Sequence, residues 1–265
     1  MMDKILLGRY IKGNSLIHQL DPRLKIFLSF YFIGIIFLCN NWQTYGLLAA
    51  LTLVCVWLTH VGIGFFVKGL RPLLWLILFT VVVQILFSTG GEVLWQLGFI
   101  KITDVGLKDA VFIFCRFVLI IFMSTLLTLT TTPLEIADGL ESLMMPLKKL
   151  HVPVYEIALM LSIALRFIPL LMDETTKIMN AQRSRGLNFA EGNLLQKAKS
   201  VIPLLIPLFI SSFNRAEELA YAMEARGYQG GEGRTKYRVQ IWQGKDTVAL
   251  ILFGVITLAL IWLRS

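Results

Sequence analysis

The 265-residue chain is poor in charge, cysteine and histidine. Asp, Glu, Lys and Arg make up 16% of it, against about a quarter in a soluble domain. The three cysteines, Cys39, Cys55 and Cys115, all stand in apolar runs. They have no CxxC spacing and no histidine cluster beside them, so neither a metal centre nor a disulfide framework is supported, and packing roles are expected. His18, His60 and His151 are scattered, with no HExxH or Ser-His-Asp ordering. No GxxxxGK[ST] loop is present, so no P-loop nucleotide site is expected. A membrane-embedded enzyme such as a lipid-modifying transferase would need Asp, His or Lys clustered at one membrane face, and no such cluster is found. No catalytic residue and no metal ligand are assigned.

What is abundant is apolar sequence. Hydrophobic residues make up 56% of the chain and are blocked into long runs, so it reads as an integral membrane protein. The first 25 residues carry Lys4, Arg9, Lys12, Arg23 and Lys25 and no apolar core of signal-peptide length, so no cleavable targeting segment is expected. The net charge is +8. In a membrane chain this excess marks the cytoplasmic side rather than a nucleic-acid partner.

Five runs, 24–42, 44–60, 72–89, 108–131 and 247–263, approach the ~20 residues that cross a bilayer. Asn40-Asn41-Trp42-Gln43 makes a tight, uncharged turn between the first two. With the N-terminus inside, segments 1–25, 61–71 and 132–246 hold 21 of the 25 basic residues, which satisfies the positive-inside tendency and puts the C-terminus outside. The expected class is therefore an all-α integral membrane protein. It has four helices in 1–131, a cytoplasmic layer of three helices in 132–246, and a final span in 247–265. Runs 157–172 and 201–213 could be taken for two further spans. They are short or interrupted by Arg166, and crossing would place Lys177, Arg183, Arg185 and Lys197 outside, so the five-span reading is preferred. Arg116 falls inside the fourth run, near its outer end, where snorkelling competes with a functional role.

The cytoplasmic layer opens on a helix start. Thr132 is the candidate N-cap, Pro133 takes the first helical position, and Glu135 completes a Thr-x-x-Glu box. Ile136, Leu140, Leu143 and Leu147 follow at spacings of three and four. Two long helices then run from about Val154 to Arg185 and from about Asn193 to Arg226, long enough to lie along the membrane and reach a partner. Pro146, Pro169, Pro203 and Pro207 are expected to bend or end these helices, each removing a backbone donor. The N-terminal halves of the long helices are apolar nearly all round. Met144, Met145, Met160, Met172 and Met179 add adaptable surface, either as ordinary core or as a groove accepting several partners.

Both long helices end alike: Ala181-Gln182-Arg183-Ser184-Arg185-Gly186 and Ala222-Met223-Glu224-Ala225-Arg226-Gly227. A glycine after a helix closes its last turn, and arginine there suits the dipole, so a plain cap explains either ending alone. Two matched endings point further. The small Ser184 and Ala225 let a tip enter a groove, and a planar guanidinium can grip a carboxylate with both arms. Arg185 and Arg226 are therefore candidate anchors into a partner with two-fold or pseudo-two-fold symmetry.

At these motifs the chain resembles the transmembrane T component of energy-coupling factor importers. The resemblance extends to Gly8-Arg9-Tyr10, Ser15, His18 and Leu20-Asp21-Pro22-Arg23-Leu24-Lys25. It takes in Thr132-Pro133-Leu134-Glu135, Gly139-Leu140-Glu141, Pro146-Leu147 and Arg166-Phe167-Ile168-Pro169. Ser184 stands where alanine is usual. The resemblance implies a bacterial plasma-membrane subunit between two cytoplasmic ABC-type ATPases and a substrate-binding membrane S component, with ATP and magnesium held by the ATPases and no cofactor here. Ala181, Ser184, Arg185, Gly186, Ala222, Ala225, Arg226 and Gly227 would dock the ATPases. Met144, Met145, Met160, Leu204 and Leu205 would touch the S component, and movement would pass between them. A vitamin importer is the first reading. A cobalt or nickel importer follows, and a structural scaffold without energy coupling would not require two matched tips.

Overall fold

The computed structural model describes residues 10–88, 90–97, 100–187, 189, 193–231 and 240–264. It is helical apart from one hairpin. Helices α1 to α5 are Pro22–Ile35, Trp42–Leu58, Ile63–Leu70, Leu74–Phe87 and Asp104–Thr130. Helices α6 to α9 are Pro133–Met144, Val154–Ser184, Leu194–Ala225 and Gly244–Arg264. The chain divides into two compact units with breaks near Leu140 and Arg238. One holds α1 to α5, most of α6, and α9. The other holds α7 and α8.

In the first unit the helix starts follow from their capping residues. The Asp21 side chain accepts the Arg23 N–H at 2.8 Å ahead of α1, with Pro22 in the first turn, where its missing donor costs nothing. Thr103 accepts the Gly106 N–H at 3.1 Å and starts α5. The expected Thr132 box is fully made: the Thr132 N–H donates to Glu135 Oε2 at 2.8 Å, and the Glu135 N–H to Thr132 Oγ1 at 3.2 Å. Around α5 pack α1, α2, α3 and α4, with α9 against α1 and α2. Phe32, Leu48, Phe66, Leu129 and Leu260 lie at the core and are almost wholly buried. Thr52 and Thr130 are buried too, each donating to the carbonyl four residues back, Leu48 and Leu126. Such in-helix bonding lets a hydroxyl sit in an apolar interior. Gly139 permits α6 to lie on the start of α1: a Cβ there would come within 2.9 Å of Ile26 and 3.4 Å of the Arg23 backbone nitrogen.

Each of the five expected runs holds a helix, with shifted boundaries. α1 continues only through a 3-10 turn, Ile36–Leu38, rather than to residue 42; helix and turn together rise about 27 Å. α2 has 17 residues, about 26 Å. Both lengths fall just below the ~30 Å hydrocarbon core. Segment 61–71, expected as a loop, contains α3, and α3 and α4 meet at a 62° bend. Segment 90–107, also expected as a loop, holds antiparallel strands β1 (Val93–Leu97) and β2 (Ile100–Thr103), and α5 begins at 104 rather than 108. By length and composition, α5, α7, α9 and the bent α3–α4 pair each qualify as spans. The assignment of α7 to a layer beside the membrane therefore rests on its charges and not on its length.

In the second unit, Met145–Leu150 is a 3-10 helix and contains Pro146, which marks the end of α6 rather than a bend within it. Pro169 lies inside α7, and Pro203 and Pro207 lie inside α8.

Candidate functional site

Both Arg-Gly endings close in the same way. Gly186 and Gly227 have φ of +89° and +70°, the left-handed region that glycine enters without a Cβ penalty. The Leu187 N–H reaches the Gln182 carbonyl at 3.1 Å and the Tyr228 N–H reaches Met223 at 3.0 Å, the six-to-one bond of a Schellman cap. The glycines are thus helix caps. Arg185 and Arg226, one position earlier, are exposed, and neither is ion-paired to a described residue. Ala181, Ser184, Ala222 and Ala225 are exposed beside them, as are Arg183 and Glu224.

α7 and α8 run antiparallel. The Gln182 amide donates to the Pro203 carbonyl at 3.3 Å, Arg215 faces Glu174 at 3.7 Å, and Leu159, Ile163 and Arg166 share a cavity with Met223 to Gly230. A Cβ on Gly231 would run into Tyr155, so the chain beyond α8 lies against the start of α7. The two tips therefore stand at opposite ends of the pair. The stretch of α7 from Ile163 to Arg185 rises on the order of 30 Å.

Two residues that the sequence left without a role become prominent. Arg166 lines the same cavity as Arg226 and Gly227, of about 560 Å³, so the second tip brings two arginines together. Gln182 is the other. Pro207 lacks the N–H that would bond the Pro203 carbonyl four residues back, and the Gln182 side chain takes that freed acceptor from the neighbouring helix. The first tip is thereby tied to the proline-containing stretch of α8. Only a hydrogen-bond partner in three dimensions reveals this; Gln182 in sequence is one polar residue on a polar turn.

The five residues expected to touch the S component lie on several elements. Met144 ends α6 and Met145 begins the 3-10 helix, both half-buried. Met160 is exposed on the half of α7 near Arg226, and Leu204 and Leu205 lie on the half of α8 near Gln182. The larger apolar surface is a stripe on α8, Ile202, Leu205, Ile206, Phe209, Ile210 and Phe213, all exposed at one helical spacing. A cavity of about 470 Å³ opens along it at Leu205, Ile206 and Phe209.

The N-terminal motif has a structural explanation. Lys25 is buried, and its Nζ donates to the carbonyls of His18 at 3.0 Å and Thr130 at 3.1 Å. Asp246, 1% exposed, accepts the N–H of Asp21 at 2.8 Å and of Gln243 at 2.7 Å. Arg23 bonds the Gln240 side chain, and its Nη2 reaches the Gln240 carbonyl at 3.1 Å. His18 Nε2 lies 3.0 Å from the Ile11 carbonyl and Nδ1 2.6 Å from Ser15 Oγ. With Nε2 donating, Nδ1 accepts from the hydroxyl, which is the neutral ring. Burial lowers the His18 pKa below its usual value; the Ile11 carbonyl opposes this, and the Lys25 charge adds to the lowering. These residues knit the start of α1 to the ends of α5 and α9. The signature Gly8-Arg9 lies outside the described residues. Arg116 donates to Tyr45 OH at 3.0 Å and stacks over Phe37 at 5.0 Å, so it reaches toward the 39–41 turn.

Residues 13–237 match the family model CbiQ, cobalt transport protein. The chain is 62% identical to the energy-coupling factor transporter transmembrane protein EcfT of Lacticaseibacillus paracasei, over 97% of this chain and 99% of that one. It is 58% identical to EcfT of Streptococcus equi, over 100% and 98%, and 54% identical to EcfT of Bacillus subtilis, over the whole of both.

Proposed function

This chain belongs to the family of CbiQ and EcfT transmembrane transport proteins, and from that premise we propose that it is the non-catalytic scaffold of an energy-coupling factor importer in the bacterial plasma membrane. The N-terminus faces the cytoplasm and the C-terminus the outside. Two ABC-type ATPase subunits hold and hydrolyse ATP, and each receives one Arg-Gly tip. A membrane S component captures the substrate and rests on the apolar stripe of α8. The observation that carries this reading is the pair of exposed, capped arginines at opposite ends of one antiparallel helix pair. A separation on the order of 30 Å suits two protomers of a dimer and not one pocket. With α7 and α8 lying along the membrane face, both tips address the same compartment, and α8 turns its exposed leucine, isoleucine and phenylalanine side chains to a membrane partner.

Mechanically, closure of the ATPase dimer draws the tips together. The Gln182–Pro203 bond and the Arg215–Glu174 pair pass that displacement between the helices, and α8 yields where two prolines interrupt its bonding. The S component is reoriented by the moving stripe. A vitamin or similar organic micronutrient is the substrate class proposed. The CbiQ model's description as a cobalt transport protein favours cobalt as the second reading.

The test is co-expression with candidate ATPase subunits and purification in mild detergent. Arg185→Glu/Arg226→Glu is expected to abolish ATPase recovery while the chain remains membrane-inserted. Each single variant loses one of the two docking points, and a buried pair broken in this way costs about 3–5 kcal/mol. Full recovery with the double variant would reduce both tips to caps.

A further inference from the structure

The bend between α3 and α4 leaves a groove that the docking reading does not use. It has a volume of about 450 Å³. Leu73, Leu76, Phe117 and Ile121 form its apolar walls, and Gly69, Thr125 and Thr128 stand at one end. Gly69 sets that end: a Cβ there would lie 2.8 Å from Thr125 Oγ1. The groove follows the C-terminal half of α5 for somewhat more than 15 Å, about half of a hydrocarbon core. It therefore has the length of one leaflet and opens to the side of a spanning helix.

Two cations stand beside its polar end in the chain. Lys68 and Arg71 flank Gly69 in sequence, and both are exposed. Lys68 lies over the Phe65 ring at 5.5 Å, and neither residue is ion-paired to a described residue. From Pro22 to Gly91 the sequence contains no Asp or Glu. Two uncompensated cations at the end of an apolar, leaflet-length groove between membrane helices are complementary to one class of molecule. We propose that this groove binds an anionic phospholipid, one acyl chain lying along α5 and the headgroup phosphate held by Lys68 and Arg71. A zwitterionic lipid fills the same walls but carries an ammonium group that meets two like charges. The site needs only that α4 and α5 cross a bilayer, and is independent of ATPase docking.

The chain is reconstituted in nanodiscs of equimolar phosphatidylglycerol and phosphatidylcholine, and retained lipid is weighed by native mass spectrometry. Wild type is expected to keep phosphatidylglycerol in excess. Each surface cation contributes about a fivefold preference, so Lys68→Gln/Arg71→Gln lowers the excess by roughly 25-fold. Lys68→Arg/Arg71→Lys retains it, as does Arg264→Gln on the last residue of α9. Ser124, exposed on the groove side of α5, accepts a photo-reactive residue, and cross-linking in native membranes should give a lipid-mass adduct. An excess absent in wild type, an excess untouched by the double neutral variant, or an adduct to a protein chain overturns the proposal. ATPase recovery measured on the same variants stays at the wild-type level, which separates this site from the tips.

Discussion

His18 bonds with both ring nitrogens, and its protonation state sets the strength of the strap around it. Its pKa in the fold lies below the ordinary value because burial disfavours the charged ring. Between the folded value and about 6.5 the unfolded chain binds more protons than the native one. The strap is therefore fully held above pH ~6.5 and loosens as pH falls through the folded value. The expected readout is faster amide exchange at Ile11, whose N–H bonds the Leu129 carbonyl at 3.0 Å, when pH drops from neutral toward 5, after correction for intrinsic rates. His18→Gln should flatten that dependence, and an unchanged profile in the variant would remove His18 as the cause. Residue types alone did not reach this role. The sequence marks His18 as one of three scattered histidines, and a backbone carbonyl seven positions away leaves no trace in composition.

Among the elements, those with strong local signals were legible. The Thr132-Pro133-Glu135 start is as expected because every partner lies within four residues. The two Arg-Gly ends were equally readable, since a left-handed glycine cap needs only local geometry. The β1–β2 hairpin and helix α3 were not. Each is short and apolar, and at that length strand, helix and loop share one composition. The link between α7 and α8 was also hidden, because it depends on a proline exposing an acceptor to a side chain 21 positions away. Gln182→Leu tests it. Losing one such bond costs about 0.5–1.5 kcal/mol, too little to unfold the pair. The variant should still recover the ATPases and hydrolyse ATP, while substrate uptake by the assembled complex falls. Uptake equal to wild type would mean that the bond carries no movement.

For the whole molecule, the all-α class could be read from long apolar runs, whereas the grouping of the helices could not. The sequence suggests a last span set apart by segment 132–246. The structure seats α9 against α1 and α2 and fixes it through Asp246. Asp246→Ala leaves the buried amide of Asp21 without its acceptor, at about 1–3 kcal/mol, and removes the acceptor of the part-buried Gln243 amide. Limited proteolysis should then cut near residue 243 sooner than in wild type, with Asp246→Asn intermediate. Equal digestion of all three would show that apolar packing alone seats α9.

The same contact has a consequence for biogenesis. Asp21 and Asp246 are 225 positions apart, so the first helix to leave the ribosome waits for the last. At ordinary elongation rates that interval is on the order of 10–45 s. Until it ends, Asp21 and Lys25 lack part of their native surroundings in a nascent chain that is already entering the membrane. Such a chain depends on whatever shields unfinished helices during that interval, and one truncated before residue 246 is never closed, which gives a membrane protease a simple way to tell aborted copies from finished ones.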